Sequence, residues 1–283
     1  MEWLITGAKG MLGQDLVRRV VEAGHSVTAV DIDELDITDP HAVAAIAPCD
    51  VIVNCAAFTA VDAAEEREDF AFTLNATAPQ LLARAASERG ARMVQISTDY
   101  VFGGDGTEPY PEGADLRPLS AYGRTKAAGE WAVRANCADH LIIRTAWLYG
   151  AGGNCFPKTM ARLASERDSL AVVTDEYGQP TWTVDLADLI VRLVDSAAPA
   201  GTYHGTSSGE TNWFGFTQEI VESVGKPAAM VGPTTASAFA RPAPRPSYSV
   251  LGHDALLAAG VTPIGDWRER WHAASHSVLG LSD

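Results

Sequence analysis

Trp3-Leu4-Ile5-Thr6-Gly7-Ala8-Lys9-Gly10-Met11-Leu12-Gly13 is the stretch whose reading decides the fold. Trp3 to Thr6 forms a short apolar strand, glycines recur at Gly7, Gly10 and Gly13, and Gln14 to Val21 carries Leu16, Val17, Val20 and Val21 at helical spacing. Strand, glycine turn and helix in immediate succession is the context a dinucleotide site requires. In that reading Gly7 permits the tight turn, Gly10 lets backbone approach a pyrophosphate, and Gly13 lets the helix lie close to the strand. The helix N-terminus then faces the negative charge.

Outward from this stretch, Ser26 to Val30 reads as a second strand that ends at Asp31, 18 residues beyond Gly13, where a carboxylate accepts from an adenosine ribose. That favours NAD. Asp36 and Asp39 add carboxylates near the same end, whereas Lys9, Arg18 and Arg19 are placed to bear on a 2′-phosphate, so NADH and NADPH both stay open. Asp50 to Ala57 gives a third strand, with Ala56 and Ala57 small enough to admit a flat ring. A helix over Asn75 to Ala86 leads to a fourth strand from Arg92, with Ser97 and Thr98 at its carboxyl end. Alternation of this length predicts an α/β fold, a Rossmann-type doubly wound parallel sheet that takes ligands at its strand ends.

Ser120-Ala121-Tyr122-Gly123-Arg124-Thr125-Lys126 opens the next helix and puts Tyr122 and Lys126 at i and i+4 on one face. An ammonium beside a phenol favours phenolate, so the pair suits general acid or base work. Thr98 offers a hydroxyl to a substrate carbonyl, or a cap to local backbone. The turn-rich segment from Gly103 to Pro118 is expected over the site. Leu141 to Gly150 reads as one strand, with Trp147 either flooring a sugar-sized pocket or packing in the core.

Phe156 to Arg167 reads as a helix, Leu170 to Val173 as a strand, and Val184 to Val194 as a helix. From Ala198 the chain turns to short elements rich in Pro, Ser and Thr, with helices at Trp213 to Val224, His253 to Ala259 and Trp267 to His276. A smaller C-terminal α/β substrate-binding lobe follows: residues 1–150 plus about 170–197 for the dinucleotide, and about 151–169 plus 198–283 for substrate. Arg241 and Arg245 lie in a proline-pinned loop where guanidiniums hold a diphosphate, or line plain surface.

The chain has 283 residues, 47% apolar and 20% charged, a composition of globular proteins. No apolar run is long enough to span a bilayer, and Met1-Glu2-Trp3 does not open a signal peptide, so a cytoplasmic protein is expected. A net charge of −15 without a basic patch argues against nucleic acid and anionic membranes as partners. Cys49, Cys55, Cys137 and Cys155 lack metal or disulfide spacing and read as free thiols.

Thr6 to Gly13, Ser97 to Phe102, and Tyr122 with Lys126 together resemble an extended short-chain dehydrogenase/reductase. More narrowly, Asn54 to Asp62, Arg144 to Gly150, Gly178-Gln179-Pro180-Thr181 and Arg245 to Leu251 resemble the dTDP-4-dehydrorhamnose reductase family over nearly the whole chain. The resemblance implies NAD(P)H-dependent reduction of the C4 ketone of dTDP-4-dehydro-L-rhamnose, with Thr98, Tyr122 and Lys126 as the catalytic set. It implies cofactor contacts at Gly7, Gly10, Met11, Leu12, Gly13, Asp31, Asp36, Ile37, Ala56, Ala57, Phe58 and Thr59, besides Tyr122 and Lys126. Substrate contacts are implied at Thr98, Asp99 and Trp147, and Tyr100 and Arg245 are expected beside them. Phe58 stands where tyrosine or histidine is usual, and Glu176-Tyr177-Gly178-Gln179 replaces the commoner Gln-x-Gly-Ser, which bears on the sugar pocket. Some relatives hold magnesium between subunits with glutamates. Asp15 stands near the first such position on a shorter arm, so magnesium, and monomer against homodimer, stay open. Two other readings remain: a dTDP-4-ketosugar reductase of antibiotic assembly, such as a dTDP-dihydrostreptose synthase, and a non-catalytic regulatory subunit like the methionine adenosyltransferase β subunit.

Overall fold

The computed structural model of the protein describes residues 1–281. In chain order the elements are β1 (Glu2–Thr6), α1 (Met11–Glu22), β2 (Ser26–Val30), α2 (Pro40–Ala44), β3 (Val51–Asn54), α3 (Val61–Glu66), α4 (Glu68–Phe72), α5 (Ala78–Arg89), β4 (Arg92–Thr98), α6 (Ala121–Asn136) and β5 (His140–Thr145). Then come β6 (Leu148–Tyr149), α7 (Phe156–Glu166), β7 (Leu170–Val173), β8 (Tyr177–Gly178), β9 (Thr181–Trp182), α8 (Thr183–Asp195) and β10 (Gly201–His204). The last are β11 (Thr211–Asn212), α9 (Trp213–Ser223), β12 (Val231–Thr234), α10 (Asp254–Ala258) and α11 (Trp267–Leu279).

Six strands form one parallel sheet in the order β10-β5-β4-β3-β1-β2. Its strands are buried on both faces, and the period of two sorts their side chains. Trp3, Ile5, Val51, Val53, Val94, Leu141 and Ile143 pack against α1 and α8. Leu4, Ile52, Met93 and Ile142 pack against α2, α5 and the Val133 side of α6. This is the expected doubly wound architecture, and its strand order reverses between β1 and β3, the place where such sheets open a crevice. Among the described residues no helix is long and apolar enough to cross a membrane.

Two strands fall on the other side of the expected lobe division. β7 pairs in parallel with β12, outside the main sheet, because the β7 residues Leu170 and Val172 pack with Val221 and Val231. β10 was hidden in the Pro- and Ser-rich stretch yet is the sixth strand, seated on β5. The expected single strand Leu141 to Gly150 is broken: Trp147 adopts a left-handed backbone (φ 47°), so β5 stops at Thr145 and the chain restarts as β6. The acidic segment after β3 folds into α3 and α4. A second apolar centre, with Tyr149, Phe216, Trp267 and Trp271, holds α7, α9 and α11 together.

Candidate active site

The glycine turn has no room for side chains. Gly7 sits at φ 66°, and a Cβ on it would stand 2.6 Å from the Ala56 nitrogen. A Cβ on Gly13 would meet the Gly7 carbonyl oxygen at 2.2 Å. Gly10 is the N-cap of α1 and supplies no capping side chain, so the first amides of that helix are left for a ligand. A cradle that only glycine permits, at a helix N-terminus on the switch point, fits a dinucleotide pyrophosphate. Gly13→Ala forces backbone against backbone, a cost of about 1–3 kcal/mol by analogy with overpacked cores. Cofactor Kd is then expected to weaken by about 10- to 100-fold in a calorimetric titration. An unchanged Kd would contradict this reading of the turn.

At the adenine end, Asp31 ties β2 to the turn, its carboxylate accepting from the Lys9 N–H (3.0 Å) and the Ile32 N–H (2.9 Å). Lys9 Nζ pairs with Asp33 (2.8 Å) and Glu34 (3.1 Å). Arg18 pairs with Asp15, and Arg19 with Asp188 (2.9 Å), so these two guanidiniums are held on the α1 surface rather than offered to a 2′-phosphate. Asp36 accepts from the Thr38 N–H and hydroxyl in an exposed turn, the solvated alternative for that residue. Leu12 and Ile37 have their side chains in the core, which leaves their backbone for any ligand contact. Met11 instead lies beside Gly150 and Gly153. Asp15 also accepts from the Thr183 hydroxyl at 2.5 Å, a bond inside the chain.

Ala56, Ala57, Phe58 and Thr59 follow β3 along the crevice. Phe58 is fixed through its backbone: its N–H donates to Asn75 Oδ1 (2.8 Å), and Asn75 Nδ2 donates back to its carbonyl oxygen (3.1 Å). Sequence reading missed Asn75 as a positioning residue. Its signal was an amide inside the otherwise helix-forming run before Pro79.

The structure brings Thr98, Tyr122 and Lys126 together at the carboxyl end of β4. Ser120 caps α6 by accepting from the Gly123 N–H (3.1 Å), and Glu65 accepts from the Ala121 N–H (2.8 Å), which sets the first turn that carries Tyr122. Lys126 Nζ donates to the Ile96 carbonyl oxygen at 2.6 Å. Burial lowers its pKa to about 8, against the pull of the Glu130 carboxylate. Burial likewise raises the Tyr122 phenol above its ordinary range, opposed by the Thr98 hydroxyl. The expectation of an ammonium that lowers the phenol does not hold here, because the amine is drawn to the strand carbonyl. A phenol, rather than a phenolate, is the form a proton donor needs.

Thr98 accepts from the Tyr100 N–H (3.2 Å) and donates to Asp99 Oδ1 (2.8 Å), so its hydroxyl also serves as a local cap. Asp99 Oδ2 is buried without a hydrogen-bond partner, and burial raises that carboxyl to about 6 despite the Ser249 and Thr98 hydroxyls. Tyr100 packs edge-on against Tyr122 (5.6 Å). Beyond them lies a cavity of about 250 Å³ lined by Asp175, Glu176, Phe239, Arg241, Arg245 and Ser247. Arg245 reaches it as expected but is paired with Asp62 at 2.8 Å, which latches the proline-pinned loop to α3. Trp147 is half-buried and stacked face to face on Trp213 (3.5 Å, 9°).

The model of the RmlD substrate binding domain family matches residues 1–278. A dTDP-4-dehydrorhamnose reductase of Streptomyces griseus is 48% identical over 94% of this chain and 90% of its own length. A probable dTDP-4,6-dihydroxy-2-methyloxan-3-one 4-ketoreductase of Streptomyces antibioticus is 47% identical over 99% of this chain and 96% of its own. Among solved structures, dTDP-4-dehydrorhamnose reductase of Bacillus anthracis in complex with NADP superposes with a TM-score of 0.93 at 36% identity, covering 96% of this chain and 98% of that one. With a match that spans both lobes, glycine cradle and Tyr122 helix alike, the chain belongs to the RmlD substrate binding domain family.

Proposed function

We propose that this protein reduces the C4 ketone of dTDP-4-dehydro-L-rhamnose with NAD(P)H, giving dTDP-L-rhamnose. The observation that carries the reading is the cluster of a phenol, a buried amine and a hydroxyl at the strand ends, beside a turn fitted to a pyrophosphate. The names of the relatives and the NADP in the Bacillus anthracis structure support it.

A bound reduced nicotinamide supplies the hydride that C4 receives. Gly7 to Gly13 and the first amides of α1 orient the pyrophosphate, while Ala56 to Thr59 line the crevice. Tyr122 donates its phenolic proton to the ketone oxygen as C4 gains the hydride, which balances the step. Lys126, anchored on Ile96, keeps two N–H groups for the ribose and the phenolate that forms. Thr98 polarises the carbonyl once its hydroxyl turns from Asp99. Arg245 and Arg241 take the diphosphate, the first by exchanging Asp62 for phosphate oxygens. Asp31 accepts from the ribose, and Lys9 stands over Asp33 and Glu34 at the same edge, which suits use of both NADH and NADPH.

The 47% identity to a reductase named for a sugar without a 2-hydroxyl favours a second reading, reduction of such a 2-deoxy ketosugar. Incubation with dTDP-4-dehydrorhamnose and each cofactor, followed by NMR of the product, tests the first reading. Cofactor oxidation with a six-membered dTDP-L-rhamnose product is expected; no turnover, or a contracted ring, would refute it.

A further inference from the structure

Glu176 is 5% exposed, yet it lines the cavity that holds Arg241 and Arg245. One of its oxygens, Oε2, accepts from the Trp213 indole N–H at 3.0 Å. The other, Oε1, takes no hydrogen bond among the described residues. Trp213 lies flat on Trp147, and Trp147 in turn occupies the space beside Gly178, where a Cβ would stand 2.5 Å from its indole. The carboxylate thus fixes the inner of two stacked indoles with one oxygen and leaves the second for a ligand. Burial pushes this carboxyl upward against the pull of Arg241.

Its position says what ligand group it meets. Tyr100 packs on Tyr122 at 5.6 Å and shares a small cavity with Pro244 and Pro246 of the arginine loop, while Glu176 holds Trp213 and through it Trp147, so Glu176 links the cavity of the arginines to the indoles beside the site. A hexose held with its ketone at Tyr122 and its anomeric phosphate at the arginines spans the interval between them. On such a ring the hydroxyl next to the anomeric carbon is the one nearest the phosphate, and so nearest the cavity that Arg241 and Glu176 line. We propose that Glu176 is a specificity-determining residue that accepts a hydrogen bond from the C2 hydroxyl of the ketosugar and so selects 2-hydroxylated over 2-deoxy substrates. The proposal rests on the reductase reading above and decides between its two substrate classes. A site built to bond a hydroxyl rejects the analogue that lacks it, because the protein group is left unpaired.

The test compares dTDP-4-dehydrorhamnose with its 2-deoxy counterpart in wild type, Glu176→Gln and Glu176→Ala, with tryptophan fluorescence recorded for each. Wild type is expected to favour the hydroxylated sugar by about 10- to 100-fold in kcat/KM, the scale of a hydrogen bond to a charged group. Glu176→Ala is expected to erase that ratio through KM, with little change in kcat, and to alter the indole emission. Glu176→Gln keeps an acceptor for Trp213, so its emission stays while the ratio falls part of the way. Equal use of the two sugars by wild type overturns the proposal without any variant. A ratio that survives Glu176→Ala does so as well. Reduction of neither sugar overturns the reductase reading and the hydroxyl assignment together.

Discussion

Tyr122→Phe is expected to lower kcat for ketosugar reduction by about 10² to 10⁴, the range for loss of one positioned general acid, with KM little changed. The phenol is the group at the strand ends whose proton is both held and deliverable. Burial raises the phenol above its ordinary range, and Lys126 Nζ donates to the Ile96 carbonyl oxygen. Phenylalanine preserves the ring that packs on Tyr100, so the loss belongs to the hydroxyl. Single-turnover reduction measures it without interference from product release. A rate within threefold of wild type (about 0.7 kcal/mol in barrier) would remove Tyr122 from the chemistry.

Glu130→Leu is expected to cost about 3–5 kcal/mol of stability, because it strands a buried guanidinium. Glu130 and Arg144 are 0% and 1% exposed and meet through two bonds of 2.9 and 2.8 Å. The Ser97 hydroxyl donates to the same carboxylate at 2.6 Å, so the pair joins α6, β4 and β5 beneath the catalytic groups. Arg144 also donates to the Glu112 carbonyl oxygen (2.9 Å) and lies over the Phe102 ring, which draws the Gly103 to Pro118 segment to the sheet. Neutral His204 completes its surroundings: burial first, and then the Arg144 charge, push the imidazole down to about 3, and a Nδ1–H donated to the Gly252 carbonyl oxygen leaves Nε2 as the acceptor for Arg144. Urea unfolding reads the cost. Glu130→Leu combined with Arg144→Met is expected to recover most of it, because the guanidinium is then no longer stranded. A single-variant loss below about 1 kcal/mol would mean the pair is not the tie between helix and sheet.

Local chemistry made the first half of the chain readable. Gly7 and Gly13 announced their turn because only glycine survives contacts of 2.2 to 2.6 Å there, and Trp3, Leu4 and Ile5 announced a strand buried on both faces. Tyr122 and Lys126 were found by spacing, but spacing could not say that the lysine would turn to Ile96. The missed features depend on distant partners. β10 is a strand because β5 lies beside it, Trp147 breaks its strand to reach Trp213, and Glu176 matters because an indole from α9 arrives at its carboxylate. Arg245 was legible as a cation in a rigid loop, whereas its pairing with Asp62 across the site was not.

Transfer of label from a reduced cofactor carrying deuterium at the nicotinamide C4 position tests the central claim most directly. With dTDP-4-dehydrorhamnose and this protein, one deuterium is expected at C4 of the sugar in a six-membered product, and none with Tyr122→Phe on the same time scale. A sugar unlabelled at C4 whichever face of the nicotinamide carries the deuterium would contradict hydride delivery at this site.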